Sequence, residues 1–557
     1  MVKKQRWSGA KRFTLSQVAV AAVTLISINV QATEIEVENS DVAVRWDNTV
    51  KYSAATRLMD ANPVLLASPN NDDGNRNFSK GLISSRLDLL SELDVTYQNR
   101  LGFRVSAAAW NDAAYSGTNA NPGFSGGAFP NQGSVASNQF TDATRTVHGS
   151  NSELLDAFVF GKFDIDGKTA TVRAGRHSLL WGESLFFGAN AIAGGQMPVD
   201  VVKLLSVPNT QFKEAIRPVP QLSGQIQLNS NVSVGAYVQA GFATSRVPAV
   251  GSYFSNADPA VDGGENILLG GPLVATRTAD QRARDSGQGG LQLRVRGEET
   301  DYGFYAIRFH NKTPQVVANL GVIVTPGGPV VVPTSYTQVY QEGITAFGAS
   351  ASRTFGDYNL AIEGSIRQNQ DLASSQAVDL SGLGLPATNN TDNPGYAVGD
   401  TAHVNISVLA GLGPNPLWRE ATLVGEIAWN RVLAVTKNAA AADPNATRDG
   451  VALRVVLEPT YRGVISGVDI GIPLGIGYAP NGSRPLAMNP NAWIPEGGGD
   501  ISIGLNASVR DAWRFTLAYT HYYGEAKTFN VGANNAYSWG QTLQDRDFLS
   551  ASLRYSF

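Results

Sequence analysis

The 557-residue chain contains no cysteine. That absence removes disulfides, thiolate metal sites, cysteine nucleophiles and a lipid-bearing cysteine near the N-terminus. Long hydrophobic runs are scarce as well. Beyond residue 32 no segment approaches the roughly 20 apolar residues of a membrane helix, and the mean hydropathy of −0.12 is too polar for a helical membrane protein. Histidine is rare, and His148, His177, His310, His403 and His521 are scattered without metal-ligand spacing. Glycine (58) and proline (26) are plentiful instead, which suits many short elements separated by turns.

Residues 1–32 carry Lys3, Lys4, Arg6, Lys11 and Arg12 ahead of a mostly apolar run from Val18 to Ile28, followed by Val30-Gln31-Ala32. This pattern predicts a secretory signal peptide over 1–32, with 33–557 as the mature unit. Removing it leaves 38 basic against 47 acidic residues, 38 − 47 = −9, and an acidic chain argues against a nucleic-acid partner.

The mature sequence alternates apolar and polar residues with period two. Trp46, Val50, Tyr52 and Ala54 oppose Arg45, Asp47, Thr49, Lys51 and Ser53, and the chain ends on DFLSASLRYSF, with Leu549, Ala551, Leu553, Tyr555 and Phe557 on one side. Very short joints, such as Gln98-Asn99-Arg100 and Gly356-Asp357, take turns with long loops rich in Gly, Asn, Pro and Ser, such as 111–151, 243–287 and 369–398. That asymmetry predicts an all-β fold: a transmembrane antiparallel β-barrel of about 18 strands, with 16 also compatible, in the outer membrane of a Gram-negative bacterium. A secreted sandwich or propeller alternates too. Against it, Arg86, Asp88, Glu92 and Asp94 fall opposite Leu87, Leu89, Leu93 and Val95, and Trp46, Tyr97, Trp418, Trp429, Trp513 and Tyr555 sit near strand ends as interfacial girdles do.

The stretch from Ser152 to Gly224 contains Glu153-Leu154-Leu155-Asp156-Ala157, Gly175-Arg176-His177, Trp181-Gly182-Glu183-Ser184 and Pro198-Val199-Asp200. Upstream stand Asp72-Asp73-Gly74-Asn75, Asn77-Phe78 and Lys80-Gly81. With these pieces the chain resembles a proteobacterial outer-membrane family known as domain of unknown function thirteen-oh-two, and Arg176, Trp181, Gly182, Glu183, Pro198 and Asp200 are its motif residues here. The resemblance implies an outer-membrane barrel in contact with membrane lipid. It also implies a second outer-membrane protein and an inner-membrane exporter of the resistance-nodulation-division type as partners, and the handling of hydrophobic compounds.

Four features are candidates for function. Residues 183–221 have helical character: Asp200 is placed to cap a short helix whose Val201, Val202, Leu204 and Leu205 form an apolar side, and a second turn runs through Phe212, Lys213 and Glu214 towards Ile216. This segment is expected either to fold into the lumen as a constriction or plug, or to rest on the rim. The loop 313–334 is unusually apolar, with Gly327-Gly328 as a turn, and is either a solute-facing surface or a hairpin extending two barrel strands. Alternation assigns to the lumen Arg45, Lys51, Arg86, Glu92, Arg104, Arg173, Arg294, Arg296, Arg308, Glu363, Arg367, Glu420, Glu426, Arg454 and Glu458. The terminal aromatics Tyr555 and Phe557 resemble the signal read by the barrel-assembly machinery.

Enzyme readings lack support. Gly123-Phe124-Ser125-Gly126-Gly127 matches G-x-S-x-G without the strand and helix that a nucleophile elbow needs, and His521 has no serine fixed beside it by spacing. The Asn70–Asn77 stretch lacks the bidentate glutamate of an EF-hand and reads as turn chemistry. No catalytic, metal or cofactor site is expected. The expected function is an outer-membrane channel or transporter for hydrophobic or amphipathic small molecules of lipid, steroid, hydrocarbon or aromatic type. The alternatives are a general diffusion porin for polar solutes and a non-conducting partner of an export machine.

Overall fold

The computed structural model describes residues 33–35, 41–123, 131–481, 493–510, 512–532 and 534–557. The expected signal peptide and most of the G-x-S-x-G string lie outside them.

Eighteen antiparallel staves form one closed ring. The first nine are β1 (Val42–Arg57), β2 (Gly81–Tyr97), β3 (Leu101–Asp112), β4 (Ser150–Ile165), β5 (Lys168–His177), β6 (Val219–Gln227), β7 (Val232–Gln239), β8 (Gly289–Arg296) and β9 (Thr300–Phe309). The second nine are β10 (Ile344–Phe355), β11 (Tyr358–Asp371), β12 (Val398–Leu412), β13 (Glu420–Lys437), β14 (Asp449–Ile465), β15 (Val468–Gly471 continued by Leu474–Asn481), β16 (Gly499–Val509), β17 (Trp513–Tyr523) and β18 (Phe548–Ser556). Each pairs with its neighbours in sequence. β15 breaks where Pro473 removes a ladder donor. The ring closes between β1 and β18, from Thr49↔Ser556 to Arg57↔Phe548, and Asn48 and Phe557 exchange backbone hydrogen bonds of 2.7 and 2.9 Å beyond it. Among the described residues β1 is thereby paired on both sides from Thr49 to Arg57, and beyond the seam Thr33–Ile35 pairs with its Val44 to Trp46.

The two faces differ as alternation requires. On β11 Leu360, Ile362 and Ile366 are 44–51% exposed on the outside, whereas Glu363, Ser365 and Arg367 inside are 2–8% exposed. An outside of large exposed aliphatic and aromatic side chains around a polar inside is stable only in lipid, and a closed strand ring satisfies every backbone group there. The protein is therefore an outer-membrane barrel. Short turns gather at one end; Asp166-Gly167, with φ of +51° and +74°, joins β4 to β5 in the twist-compatible hairpin turn. The long connections gather at the other end and fold into a cap.

Within that cap the apolar 313–334 loop is a hairpin, Gln315–Thr325 with Gly328–Val339, turning at Thr325↔Gly328. It does not extend β9 and β10. It belongs to a separate five-stranded sheet with Leu273–Arg277, Asn266–Gly270 and Val378–Asp379 from two other loops.

β9 supplies a correction. Tyr302 and Phe304 are exposed on the outside, and Arg308 shares their face. Arg308 therefore points away from the lumen, near the cap end of its strand. Tyr305, Ile307 and Phe309 point inwards and are buried. The expectation failed because the usual rule of polar inside presumes a wet lumen, and here something apolar fills it.

Candidate functional site

What fills it is the segment after β5. Trp181 is buried and meets Tyr237 edge-on at 5.0 Å between ring centroids, inside a cluster with Ile192, Tyr305, Ile307, Phe309 and Ile344. Its backbone N–H donates to Gln196 Oε1 at 2.7 Å. At Gly182 φ is +94°, and the Glu363 carboxylate stands 2.2 Å from where a Cβ would be. Only glycine fits such a site.

A loop inside a barrel must find partners for its peptide groups, and three lumen side chains provide them. Glu363 accepts from the N–H groups of Glu183 (2.7 Å) and Ile192 (2.5 Å). Glu426 accepts from Leu185 (3.1 Å), Phe186 and Phe187 (2.8 Å), and from Ser184 Oγ (2.8 Å). Arg367 donates to the carbonyls of Ala189, Asn190 and Ala191 at 3.2, 2.8 and 2.8 Å. Asn190 is fully buried, receiving Asn430 Nδ2 at 3.0 Å and donating to Asn405 Oδ1 at 2.9 Å, with His403 Nδ1 3.0 Å from its Oδ1. Residues 183–192 thus cross the lumen and are tied to β11, β12 and β13.

The segment then returns towards β6. Pro198 O accepts from Arg217 N at 2.8 Å. Asp200 caps the helix Val201–Ser206 by accepting from Lys203 N at 3.0 Å, and pairs with Arg246 at 2.9 Å. Arg246 and Arg217 both reach Glu153, at 2.5 and 2.9 Å. The turn Phe212–Ala215 tucks Phe212 against Gly188, where a Cβ would lie 2.2 Å from the ring. Lys213 and Glu214 lie in this turn, Glu214 closing a capping box with Gln211, while Val201 is buried and Leu204 and Leu205 pack partly. Arg176 donates its Nε–H to Leu155 O at 2.9 Å. Trp181, Gly182, Glu183, Pro198 and Asp200 therefore serve the segment that crosses the lumen, and Arg176 ties β5 to β4.

Between this insert and the cap lies a chamber with both aromatic and polar walls. Phe186, Phe187, Leu204 and Leu205 of the insert and Trp493, Phe529, Tyr537 and Trp539 from two loops line it, Phe187 meeting Trp493 at 5.4 Å between ring centroids. Arg454 and Asp500, 3.0 Å apart, stand at its wall. A second cavity shares Phe529, Tyr537 and Trp539 and continues along Val316 and Ile267 of the cap sheet. A third shares Phe186, Phe187, Leu204 and Trp493 and reaches Lys312 and Arg367. Lys312, in the connection after β9, is 5% exposed, donates to Gln288 Oε1 and His310 O at 2.9 Å each, and has no ion-pair partner among the described residues. Burial pushes its ammonium down to about 7.

Several of the remaining lumen charges pair. Arg45 meets Asp47 (2.7 Å), Lys51 and Arg86 meet Asp88 (3.7 and 2.8 Å), and Arg104 meets Glu92, Asp94 (2.9 Å) and Asp156 (3.6 Å). Arg294 stands inside, opposite Leu293, and Arg296 reaches Asp301 at 3.6 Å at the turn end. Trp513, Tyr555 and Phe557 stack in series at 4.4 and 5.3 Å beside the closing seam. His521 Nδ1 lies 2.7 Å from Asp547. Sequence reasoning missed the chamber aromatics and Lys312. The signal for the aromatics is the presence of Trp493, Phe529, Tyr537 and Trp539 in turn-rich loops with many Gly and Asn.

One family description, protein of unknown function (DUF1302), matches residues 14–557. No curated protein matches in sequence. Among solved structures the fold is similar to Acinetobacter baumannii OccAB4, 8% identical, covering 93% of this chain and 99% of that one with a TM-score of 0.41. It is similar to Pseudomonas aeruginosa OpdK with vanillate, at 9% identity, 92% and 98% coverage and a TM-score of 0.41. It is also similar to the Salmonella typhi OmpF complex with daunomycin, at 9% identity, 94% and 100% coverage and a TM-score of 0.37.

Proposed function

We propose, for a chain that belongs to the DUF1302 family of proteins of unknown function, that the barrel is an outer-membrane channel or transporter for hydrophobic or amphipathic small molecules. One observation supports this reading: a chamber with Phe186, Phe187, Trp493, Phe529, Tyr537 and Trp539 in its walls lies between the insert and the cap loops. Phe186, Phe187, Trp493 and Trp539 present flat apolar faces that suit a hydrocarbon or aromatic body. Lys312, a desolvated cation at the far wall, suits an anionic head group. The insert narrows the lumen, and Glu363 and Glu426 set how firmly it is held. The paired charges near the turn end give the solute a hydrated exit. Membrane lipid surrounds the barrel; the assembly machinery, a second outer-membrane protein and an inner-membrane exporter are the partners this reading proposes.

Planar-bilayer conductance and uptake test it together. Removing residues 189–216 is expected to raise conductance, and Trp493→Ala with Trp539→Ala to slow entry of a hydrophobic fluorophore into proteoliposomes. Absence of current with and without the segment sinks the channel reading. Equal uptake of sugars and fluorophore, unchanged by the tryptophan variants, points to a general porin.

A further inference from the structure

We infer that the loop cap carries a divalent-cation site of the calcium class, formed by Asp72, Asp73 and Asp258. Asp72 and Asp73 open the short helix Asp73–Arg76 in the loop between β1 and β2, while Asp258 comes from the loop between β7 and β8. One carboxylate oxygen of each lies within 4.8 Å of the others, and all three residues are at most 4% exposed. Two ligands of one calcium ion, each 2.3–2.6 Å from it, stand at most roughly 5 Å apart, so the triangle matches part of one coordination sphere.

The hydrogen bonds leave this sphere unfilled. Asp73 Oδ2 accepts from Gln132 Nε2 at 2.9 Å, Asp258 Oδ2 from Asp73 N at 3.2 Å, and Asp72 Oδ2 pairs with Arg76 at 2.6 Å. Asp73 Oδ1 and Asp258 Oδ1 are closed off from water without a partner. So is Oδ1 of Asn77, 7% exposed, whose amide stands beside Asp73 over Gly251. Bare buried acceptors are costly, and a cation shared by Asp73 and Asp258 satisfies both of theirs. Of the neighbouring positive charge, Arg76 pairs with one oxygen of Asp72, and Arg546, which faces Asp258, pairs with Asp545 and donates to Asn75 and Ser255. The donor set of carboxylate and amide oxygens, without nitrogen or sulfur, selects a hard cation and suits calcium's irregular sphere better than the strict octahedron of magnesium. The ion ties the first loop to the loop holding Asp258, directly beside the Arg57–Asp545 pair (2.9 Å) at the barrel seam.

The full protein, purified in detergent and stripped with EGTA, is titrated with Ca2+ by calorimetry. One equivalent is expected to bind, Asp258→Asn and Asp73→Asn weakening it at least about tenfold. Asp280→Asn, in the same loop but paired with Arg277, is expected to leave it unchanged. Ca2+ is expected to slow protease cleavage of the cap in the wild type, and Mg2+ to bind more weakly. Failure of the wild type to show saturable heat or protection overturns the site, with no variant needed, as does unchanged binding by well-assembled Asp258→Asn. Tighter binding of Mg2+ overturns the calcium assignment.

Discussion

Glu426 is where the insert's peptide groups converge, and its replacement shows how a single side chain holds a loop inside a lumen. Glu426→Ala strands the donors of Leu185, Phe186 and Phe187; loss of charge-assisted bonds to buried donors is expected to destabilise the insert by about 2–4 kcal/mol. The barrel ladder is untouched, so conductance rises while resistance to heat in detergent persists. Gly182→Ala acts on the same segment differently. It forces a side chain onto the Glu363 carboxylate at a φ of +94°, at a cost of about 1–3 kcal/mol, and protease susceptibility within 183–192 reports it. Lys312 is legible only as a charge in the sequence; its burial is a tertiary fact. Its ammonium lies down at about 7 in the folded protein, below its value in an unfolded chain. Its contribution to stability is therefore full above the ordinary lysine range and is lost as pH falls through about 7. Over the same window its positive charge grows. Dodecanoate is expected to bind roughly tenfold more tightly at pH 6 than at pH 8, dodecanol equally at both, and Lys312→Met is expected to abolish the difference.

At the scale of elements, local signals were strong wherever a residue acts on its own backbone. Asp200 announces the helix Val201–Ser206, and the expected turn at Gly327-Gly328 falls one residue earlier, at Pro326-Gly327. They were silent where an element's partner is remote. Nothing in residues 313–334 says that their strands join Leu273–Arg277 and Val378–Asp379 rather than prolonging β9 and β10. Nothing in Asn70–Asn77 reveals the third carboxylate, 185 residues away from Asp73. That triad sets a pH dependence for the cap. Burial holds Asp72 up at about 6 and Asp73 up at about 7, with Arg76 opposing. Raised carboxyl values give stability that is fully present below the ordinary aspartate range and lost as pH rises through about 7. In EGTA, cleavage of the 58–80 loop is expected to accelerate from pH 5 to pH 8. Saturating Ca2+, taking the place of the protons, is expected to flatten the profile.

The whole molecule is a ring whose last residue makes its last bonds. Deleting Tyr555-Ser556-Phe557 removes the stacked aromatics and the Asn48–Phe557 pair, and the folded, heat-modifiable fraction on gels is expected to fall about tenfold. What the sequence alone determined is the kind of ring: period-two alternation, short turns against long loops, and about eighteen staves with sixteen still compatible, since each of these is written in neighbouring residues; the closed ring settled the number. The face of β9 escaped it. Arg308 points out and Ile307 in, because the insert turned part of the lumen into an apolar core. The tertiary structure alone decided which loops wall the aromatic chamber, which lumen carboxylates bind peptide N–H groups instead of solute, and which distant aspartates meet. Alternation specifies the side of a sheet to which a residue points, but not what waits there. That depends on long loops, whose flexible, turn-rich sequences carry little local preference and take their conformation from the walls they pack against.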